Sequence, residues 1–282
     1  MRLLIYGCKG WIGKMFLELL NNDYYEGLAR CDDIVDITNE IEYINPTHII
    51  SFIGRTHGEG YSTIDYLEQK GKLVENIRDN LFSPFVLAQI CSQRNIHYTY
   101  LGTGCIFNSY NKLFTEEDKP NFFGSSYSVV KGFTDMMMHM YPNVLNLRIR
   151  MPITNINNPR NFITKIINYN KICSIPNSMT VLPELLPYVL DMMEKKIVGT
   201  INLTNPGVIS HNEILEMYKE LVDPTFEWEN FTIEEQRLIL KSDRSNNHLD
   251  TTKLLSYYPN IDNIHEAVRK CLINWTYTKN NE

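Results

Sequence analysis

Tyr127 and Lys131 stand four residues apart, separated only by Ser and Val. Residues at this spacing share one face of a helix, so a phenol and an ammonium group can point at the same substrate atom. A nearby cation favours the phenolate and lowers the pKa of a tyrosine. Such a tyrosine can give a proton to a carbonyl oxygen while a nicotinamide delivers hydride to the carbon. The pair is weak evidence alone, but it predicts a dehydrogenase or reductase if a dinucleotide site precedes it.

A glycine-rich turn near the N-terminus is the candidate for that dinucleotide site. An apolar run at residues 3–6 is followed at once by glycines spaced as GxxGxxG. Three such glycines allow a tight turn, close approach of the backbone to a pyrophosphate, and close packing of helix on strand. The following helix directs its positive N-terminal end towards the phosphates. A glycine turn without a ligand is the alternative, but a position directly after an N-terminal strand favours the dinucleotide. The cofactor-binding residues that we expect here are Gly7, Gly10, Trp11, Ile12 and Gly13.

The choice of cofactor depends on residues about twenty positions beyond the glycines, where an acidic residue binds the ribose of NAD and an arginine accepts the extra phosphate of NADP. Arg30 is followed by Asp32 and Asp33, so both residue types are present. The planar guanidinium suits phosphate, and we expect NADPH as the cofactor, with NADH as the alternative. A solvated surface arginine is an equally open interpretation of Arg30.

The composition excludes several classes of protein. Hydrophobic residues make up 43% of the 282 residues and charged residues 21%, as in ordinary globular proteins. The formal net charge of −6 argues against a nucleic-acid partner. No apolar run approaches the length of a membrane span, and the first residues lack the regions of a signal peptide. We therefore expect neither a nucleic acid nor a membrane as a partner.

The six cysteines form no CxxC pair and have no metal-ligand spacing with histidine. We therefore expect no metal. Unpaired cysteines are typical of a reducing compartment, so we expect a cytoplasmic protein.

Strand and helix patterns alternate through the first half of the chain. Predicted strands cover residues 3–6, 48–53, 97–101 and 144–149, with a short one near 34–37; predicted helices cover 11–20 and a stretch reaching residue 91 that Pro84 should kink. This alternation predicts an α/β fold, a Rossmann-type doubly wound parallel sheet that binds its ligand at the carboxyl ends of the strands.

Beyond Pro152 the pattern changes, and we expect a smaller C-terminal substrate-binding lobe. Helices are predicted at 162–169 and 185–195, and a strand at 200–204 that could return to the main sheet. The predicted dinucleotide-binding domain covers residues 1–152, with 183–206 returning to it. The predicted substrate lobe covers residues 153–182 and 207–282.

Several segments resemble the extended short-chain dehydrogenase/reductases: residues 7–13 (GCKGWIG), 103–107 (TGCIF) and 127–131 (YSVVK). The second half is similar to one branch of that family, the bifunctional UDP-4-keto-6-deoxy-glucose 3,5-epimerase/4-reductases, found in plants and giant viruses. The matching segments are residues 150–153 (RMPI), 158–166 (NPRNFITKI), 175–182 (IPNSMTVL), 204–208 (TNPGV), 210–217 (SHNEILEM) and 244–247 (RSNN). The resemblance covers nearly the whole chain.

This resemblance implies catalytic roles for five residues. Tyr127 would be the acid at the C4 oxygen, Lys131 would tune Tyr127 and hold the nicotinamide ribose, and Thr103 would hydrogen-bond the same oxygen. Cys105 would be the base for epimerisation at C3 and C5, whose protons the neighbouring ketone acidifies. Lys165 would be the acid on the opposite face of the sugar ring. Taken singly, each could be an ordinary structural residue; together they favour catalysis.

Gly104 and Cys105 stand where nucleotide-sugar 4,6-dehydratases carry an Asp-Glu pair, so the dehydration step should belong to another enzyme or domain. The resemblance also implies that Asn161, Asn177 and Arg244 bind the nucleotide and diphosphate, and that Asn80 supports the active-site lysine near the substrate.

The expected activity is the conversion of UDP-4-keto-6-deoxy-D-glucose, supplied by a separate 4,6-dehydratase, to UDP-L-rhamnose. A reductase without epimerase activity and a non-catalytic NAD(P)-binding regulatory subunit are the alternatives. The oligomeric state stays open, with a homodimer as one option.

Overall fold

The computed structural model describes residues 1–276, and strands alternate with helices through the first half of the chain. The strands are β1 Leu3–Tyr6, β2 Tyr25–Glu26, β3 His48–Ser51, β4 His97–Thr103, β5 Leu113–Phe114, β6 Val144–Ile149, β7 Lys171–Ile172, β8 Gly199–Asn202, β9 Glu229–Asn230 and β10 His248–Leu249. The helices are α1 Trp11–Leu17, α2 Ile34–Ile44, α3 Leu73–Ile77, α4 Ser83–Gln93, α5 Ser126–Met138, α6 Phe162–Ile167, α7 Leu182–Glu194, α8 His211–Leu221, α9 Ile233–Ile239, α10 Thr252–Tyr257 and α11 Ile264–Ile273.

The central sheet has six parallel strands in the order β2-β1-β3-β4-β6-β8. From β1 the chain moves outward to β2, then returns to form β3 on the other side of β1. This reversal opens a crevice at the carboxyl ends of β1 and β3, where doubly wound sheets bind their ligands. The predicted Rossmann-type NAD(P)-binding fold is confirmed.

Both faces of the sheet are covered, so its central strands β1, β3, β4 and β6 are buried along almost their whole length. Leu3 and Ile5 of β1 pack with α7 on one face, whereas Leu4 and Tyr6 pack with α2 and α4 on the other. A separate core joins α6, α8 and α11 beyond the edge of the sheet. The domain boundaries proposed from the sequence stay a prediction.

The short strand predicted near residues 34–37 is wrong. Ile34–Ile44 is a helix, because Asp33 caps it by accepting hydrogen bonds from the backbone N–H groups of Val35 and Asp36. Ile37 and Ile41 are buried one turn apart, and this packing outweighs the β preference of the Ile-Val run. The second strand is instead the exposed β2.

The helical break expected at Pro84 lies just before it. Residues Arg78–Phe82 form a π-helical turn, and Pro84 is in the first turn of α4. Pro84 has no N–H for Asn80 O, which accepts from Thr134 Oγ1 at 2.6 Å instead. The π turn carries Asn80 towards the carboxyl end of β3, since Asn80 Oδ1 accepts from Arg55 N at 2.9 Å.

Candidate active site

The glycine turn between β1 and α1 packs its backbone directly against the residues after β3 and against α1. Gly7 has φ +76°, and a Cβ added there would lie 3.0 Å from Ile53 N. A Cβ at Gly13 would lie 2.4 Å from Gly7 O, so helix and turn pack in direct contact. Gly10 N donates to Gly7 O at 3.0 Å and closes the turn ahead of Trp11. Such a side-chain-free cradle at the sheet's crevice fits the pyrophosphate of a dinucleotide.

Arg30 lies beyond β2 at the rim of a cavity of 330 Å³ that begins at Gly7. Its side chain is 74% exposed and forms a bidentate pair with Asp32, at 3.1 Å and 2.8 Å. Arg78, from the π turn, lines the same cavity. Two guanidinium groups at this position would suit an anionic group on the adenosine end of a cofactor.

Thr103, Cys105 and Tyr127 come together where β4 ends and α5 begins. Thr103 Oγ1 accepts from Cys105 N at 3.1 Å, and Thr103 also hydrogen-bonds the Tyr127 hydroxyl. Ser125 caps α5, and Ser128 Oγ donates to Cys105 O at 2.8 Å. Capping and this second hydrogen bond fix the first turn of α5 against the end of β4.

Tyr127 is buried, and burial raises its pKa well above the usual range. A negative charge on Cys105 raises it further, whereas the Thr103 hydrogen bond lowers it. The sequence-based expectation was a pKa lowered by Lys131. In the structure, the Lys131 ammonium instead donates a hydrogen bond to the Tyr100 hydroxyl.

Lys131 is buried on the same face of α5 as Tyr127. Its ammonium lies 4.5 Å from the centroid of the Tyr100 ring. Burial lowers the pKa of Lys131 to about 7, although Asp135 and Cys105 oppose the shift. Tyr100 was not among the predicted site residues; the signal that could have found it is the alternation of Tyr98 and Tyr100 along β4, which places two phenols on one face.

A loop after β3 covers Tyr127. Tyr66 and Leu67 pack against its ring, together with Cys105 and Tyr61. Glu68 ties this loop to α5, since Oε1 accepts from Ser126 N at 2.8 Å and from Ser126 Oγ at 2.9 Å. The loop therefore shields the Tyr127 side chain from solvent on one side.

Lys165 lies in α6 and is partly buried. Burial lowers the pKa of Lys165 to about 8, and the positive charges of Arg160 and Arg244 lower it further. His57, in the loop after β3, is influenced by the same Lys165 and by Arg160, so α6 faces that loop. The structure therefore places Lys165 near two arginines, and its role as the acid for epimerisation stays a prediction.

Arg244 connects the C-terminal part of the chain to the loop after β3. Its Nη2 lies 2.6 Å from Asp65 Oδ2, and Ser242 Oγ donates to Asp65 Oδ1 at 3.2 Å. Lys241 Nζ adds a hydrogen bond to Gln69 Oε1 at 3.0 Å. This bridge, residues 241–244 on residues 65–69, is not predicted by the sequence.

The three asparagines predicted near the substrate have internal partners. Asn80 Nδ2 donates to Arg55 O and Asn76 Oδ1, both at 2.9 Å. Asn161 caps α6, and its Nδ2 donates to Thr154 O and Ile156 O, both at 2.8 Å. Asn177 Oδ1 accepts from Asn247 N at 2.9 Å. All three are buried, and their roles in substrate binding stay predictions.

Several known proteins are similar to this chain over nearly its whole length. No family model matches it. The crystal structure of a UDP-rhamnose synthase from Acanthamoeba polyphaga mimivirus is 55% identical, covers 97% of this chain and 99% of that one, and has a TM-score of 0.95. A bifunctional dTDP-4-dehydrorhamnose 3,5-epimerase/dTDP-4-dehydrorhamnose reductase of Arabidopsis thaliana is 44% identical, over 95% of this chain and 91% of the relative.

The chain belongs to the bifunctional nucleotide-sugar 3,5-epimerase/4-keto-reductase family. A trifunctional member of Arabidopsis thaliana, a UDP-glucose 4,6-dehydratase/UDP-4-keto-6-deoxy-D-glucose 3,5-epimerase/UDP-4-keto-L-rhamnose-reductase, is 43% identical over 96% of this chain, which spans 41% of that protein. The epimerase/reductase family predicted from the sequence is therefore confirmed. Within residues 1–276, no helix of this family member is long and apolar enough to cross a membrane.

Proposed function

We propose that the protein epimerises UDP-4-keto-6-deoxy-D-glucose at C3 and C5 and reduces the C4 ketone with NADPH, giving UDP-L-rhamnose. The observation that carries this proposal is the meeting of Thr103, Cys105 and Tyr127 at the carboxyl end of β4. A proton donor for a ketone oxygen and a thiol that can remove a neighbouring proton lie in one pocket. Family membership supports the same pair of reactions.

For reduction, Tyr127 would protonate the C4 oxygen while Thr103 holds that oxygen by a hydrogen bond. NADPH, held at Gly7, Gly10 and Gly13, would supply the hydride. A tyrosine whose pKa is raised keeps its proton until a strongly basic alkoxide oxygen begins to form, so Tyr127 fits the role of acid. Lys131 would hold the ribose and supply a nearby positive charge.

For epimerisation, the Cys105 thiolate would take the proton from C3 or C5. The C–H electron pair moves to the C4 oxygen as an enolate, which Thr103 and Tyr127 stabilise, and an S–H bond forms. The Lys165 ammonium then gives a proton to the opposite face of the same carbon. A lysine with a pKa of about 8 releases and regains a proton near neutral pH, as this step requires.

The ketone would come from a 4,6-dehydratase on a separate chain. Gly104 and Cys105 occupy the two positions after Thr103 where the related dehydratases have Asp and Glu. The fusion of a dehydratase to the trifunctional relative supports the order of the two reactions. A cytoplasmic location and a homodimer are further parts of the proposal.

The deciding experiment supplies UDP-4-keto-6-deoxy-D-glucose and NADPH in heavy water and identifies the sugar by NMR. We expect UDP-L-rhamnose with deuterium at C3 and C5. Cys105→Ala and Lys165→Ala should each lose about 100- to 10,000-fold in deuterium incorporation while still binding NADPH and UDP. A 6-deoxy sugar of unchanged C3 and C5 configuration from the wild-type protein would instead establish a reductase without epimerase activity.

A further inference from the structure

Arg150 is a fully buried arginine at the end of β6, with an exposed fraction of 1%. Its Nη2 donates to Ser245 O at 2.9 Å, and its Nη1 makes a long contact of 3.5 Å with Asn247 O. Its buried Nε has no hydrogen-bond partner. Among residues 1–276, no carboxylate forms an ion pair with it. A buried cation whose partners are carbonyl groups lacks the charge compensation that a carboxylate would give.

Arg148, two residues earlier on β6, shows the usual solution. It is also fully buried, but Asp135 accepts from its Nη2 at 2.7 Å and from its Nε at 2.9 Å. The comparison isolates what is unusual about Arg150. The fold buries two guanidinium groups side by side and gives only one of them a carboxylate.

The side chain of Arg150 lies against the residues around Cys105. A Cβ added to Gly104 would come within 2.9 Å of Arg150 Cγ and 3.0 Å of Arg150 Cδ, so the aliphatic part packs directly on that glycine. Burial lowers the pKa of Arg150, and a negative charge on Cys105 is the influence that raises it again. Cys105 is therefore the acidic group whose negative charge would stabilise this guanidinium.

The other groups facing Cys105 do not replace Arg150. Tyr127 on α5 and the loop residues Tyr61 and Tyr66 are phenols, which carry no positive charge. Lys131 on α5 is the other cation near Cys105, but burial lowers its pKa to about 7, so at working pH it is partly neutral, and its ammonium donates to Tyr100. His211 is influenced by Arg150, and burial lowers the pKa of His211 to about 4, so it is neutral. Arg150 is thus the nearby cation that stays charged and keeps one donor, its Nε–H, without a hydrogen-bond partner.

We propose that the Arg150 guanidinium is a positioning residue that stabilises the Cys105 thiolate before that sulfur takes a proton from the sugar, a role that rests on the proposed function. The charge on sulfur disappears as the S–H bond forms and returns when the proton leaves to solvent. Arg150 keeps its own proton throughout. Arg150 should therefore affect the rate of epimerisation and not the rate of reduction.

The test is the rate at which iodoacetamide alkylates Cys105, followed by peptide mass spectrometry across a range of pH. Removal of an opposite charge at close range should move the midpoint of this profile upward by about 1 to 3 pH units in Arg150→Met. Arg150→Lys should keep a midpoint nearer the wild-type one. Arg94→Met is the matched control, because it removes a guanidinium from a pair with Glu42 at the opposite end of the sheet.

Alkylation needs no substrate, so its outcome is independent of whether UDP-L-rhamnose is the product. A folded Arg150→Met protein with the wild-type midpoint would overturn the proposal. The proposal would also be overturned if Arg150→Met slowed two reactions to the same extent: deuterium incorporation, and reduction of a ketone that is already epimerised. Equal losses would indicate a structural role for Arg150. If Arg150→Met does not fold, the wild-type midpoint is compared with that of the urea-unfolded chain. A midpoint that is not lower in the folded protein also overturns the proposal.

Discussion

At the residue scale, the charge of Lys165 sets how epimerisation should depend on pH. Lys165 acts as an acid in the proposed mechanism, so it must carry its proton, and its pKa is about 8. The rate of deuterium incorporation at C3 and C5 should therefore fall as the pH rises through about 8. NMR measurements across this range test the prediction. Lys165→Arg, which keeps its charge to much higher pH, should remove this alkaline fall from whatever exchange it retains; a fall at the same pH would assign it to another group.

Tyr127 should be needed for reduction and not for cofactor binding. It meets Thr103 at the end of β4, away from the glycine turn that would hold the pyrophosphate. Tyr127→Phe removes the proton donor and keeps the ring that packs against Tyr66. We expect NADPH oxidation by the keto sugar to slow by about 100- to 10,000-fold, with the fluorescence-measured Kd for NADPH nearly unchanged. Wild-type-like turnover would remove Tyr127 from the mechanism.

Arg30 should set the preference for NADPH over NADH. Its guanidinium is exposed and held by Asp32 at the rim of the cavity beyond Gly7. Arg30→Ala should narrow the preference, chiefly by raising the KM for NADPH, because a phosphate partner is lost. Asp32→Asn should widen it, since the competing carboxylate is removed. Steady-state kinetics with both cofactors measure this, and an unchanged ratio in Arg30→Ala would make Arg30 a surface residue only.

At the scale of elements, α5 is fixed to β6 by the buried pair of Asp135 and Arg148. Removing one partner of a buried ion pair leaves the other uncompensated, which costs about 3–5 kcal/mol. Asp135→Ala should therefore lower the free energy of unfolding by about that amount in urea denaturation. Glu42→Gln, which breaks the exposed pair with Arg94, should cost less than about 1 kcal/mol. Equal losses in the free energy of unfolding would show that the buried pair stabilises the fold no more than the exposed pair does.

The helices and strands that carry the site could largely be predicted from the sequence. The hydrogen-bond partners of their side chains could not. The spacing of Tyr127 and Lys131 predicted a helix, and α5 places both on one buried face. The strand at 34–37 was mispredicted, because Asp33 capping and the burial of Ile41 decide for a helix. The partner of Lys131 depends on the direction of one side chain in the core. Periodicity places that side chain on a face, but it does not say that Tyr100 is the group it meets.

At the scale of the whole molecule, the contact between Asp65 and Arg244 joins residues 179 positions apart. Sequence patterns describe local structure, whereas this contact depends on how two loops pack after the fold has formed. The resemblance to a family marked Arg244 as polar and functional, and only the structure shows the carboxylate that holds it. A partner so distant in sequence could not have been predicted from spacing.

Buried histidines should make the folded protein sensitive to acid. Burial lowers the pKa of His48 and of His211 to about 4, against about 6.5 in an unfolded chain. The unfolded state therefore binds more protons below pH 6.5, and this contribution to stability is lost as the pH falls from about 6.5 to about 4. Thermal unfolding should show a decreasing Tm across this window. His48→Gln should reduce the dependence, and curves of equal slope would contradict the assignment to His48.

Cys105 is only partly buried, whereas four of the other five cysteines are buried. Under the proposed mechanism, oxidation of this sulfur to a sulfenic acid would remove the base and leave Tyr127, Thr103 and Lys131 chemically intact. An oxidised preparation would still reduce a ketone that had already been epimerised. Two samples of the same chain, differing only in how they were stored, could then yield sugars of different configuration at C3 and C5. The oxidation state of Cys105 would then decide which of the two sugars is formed.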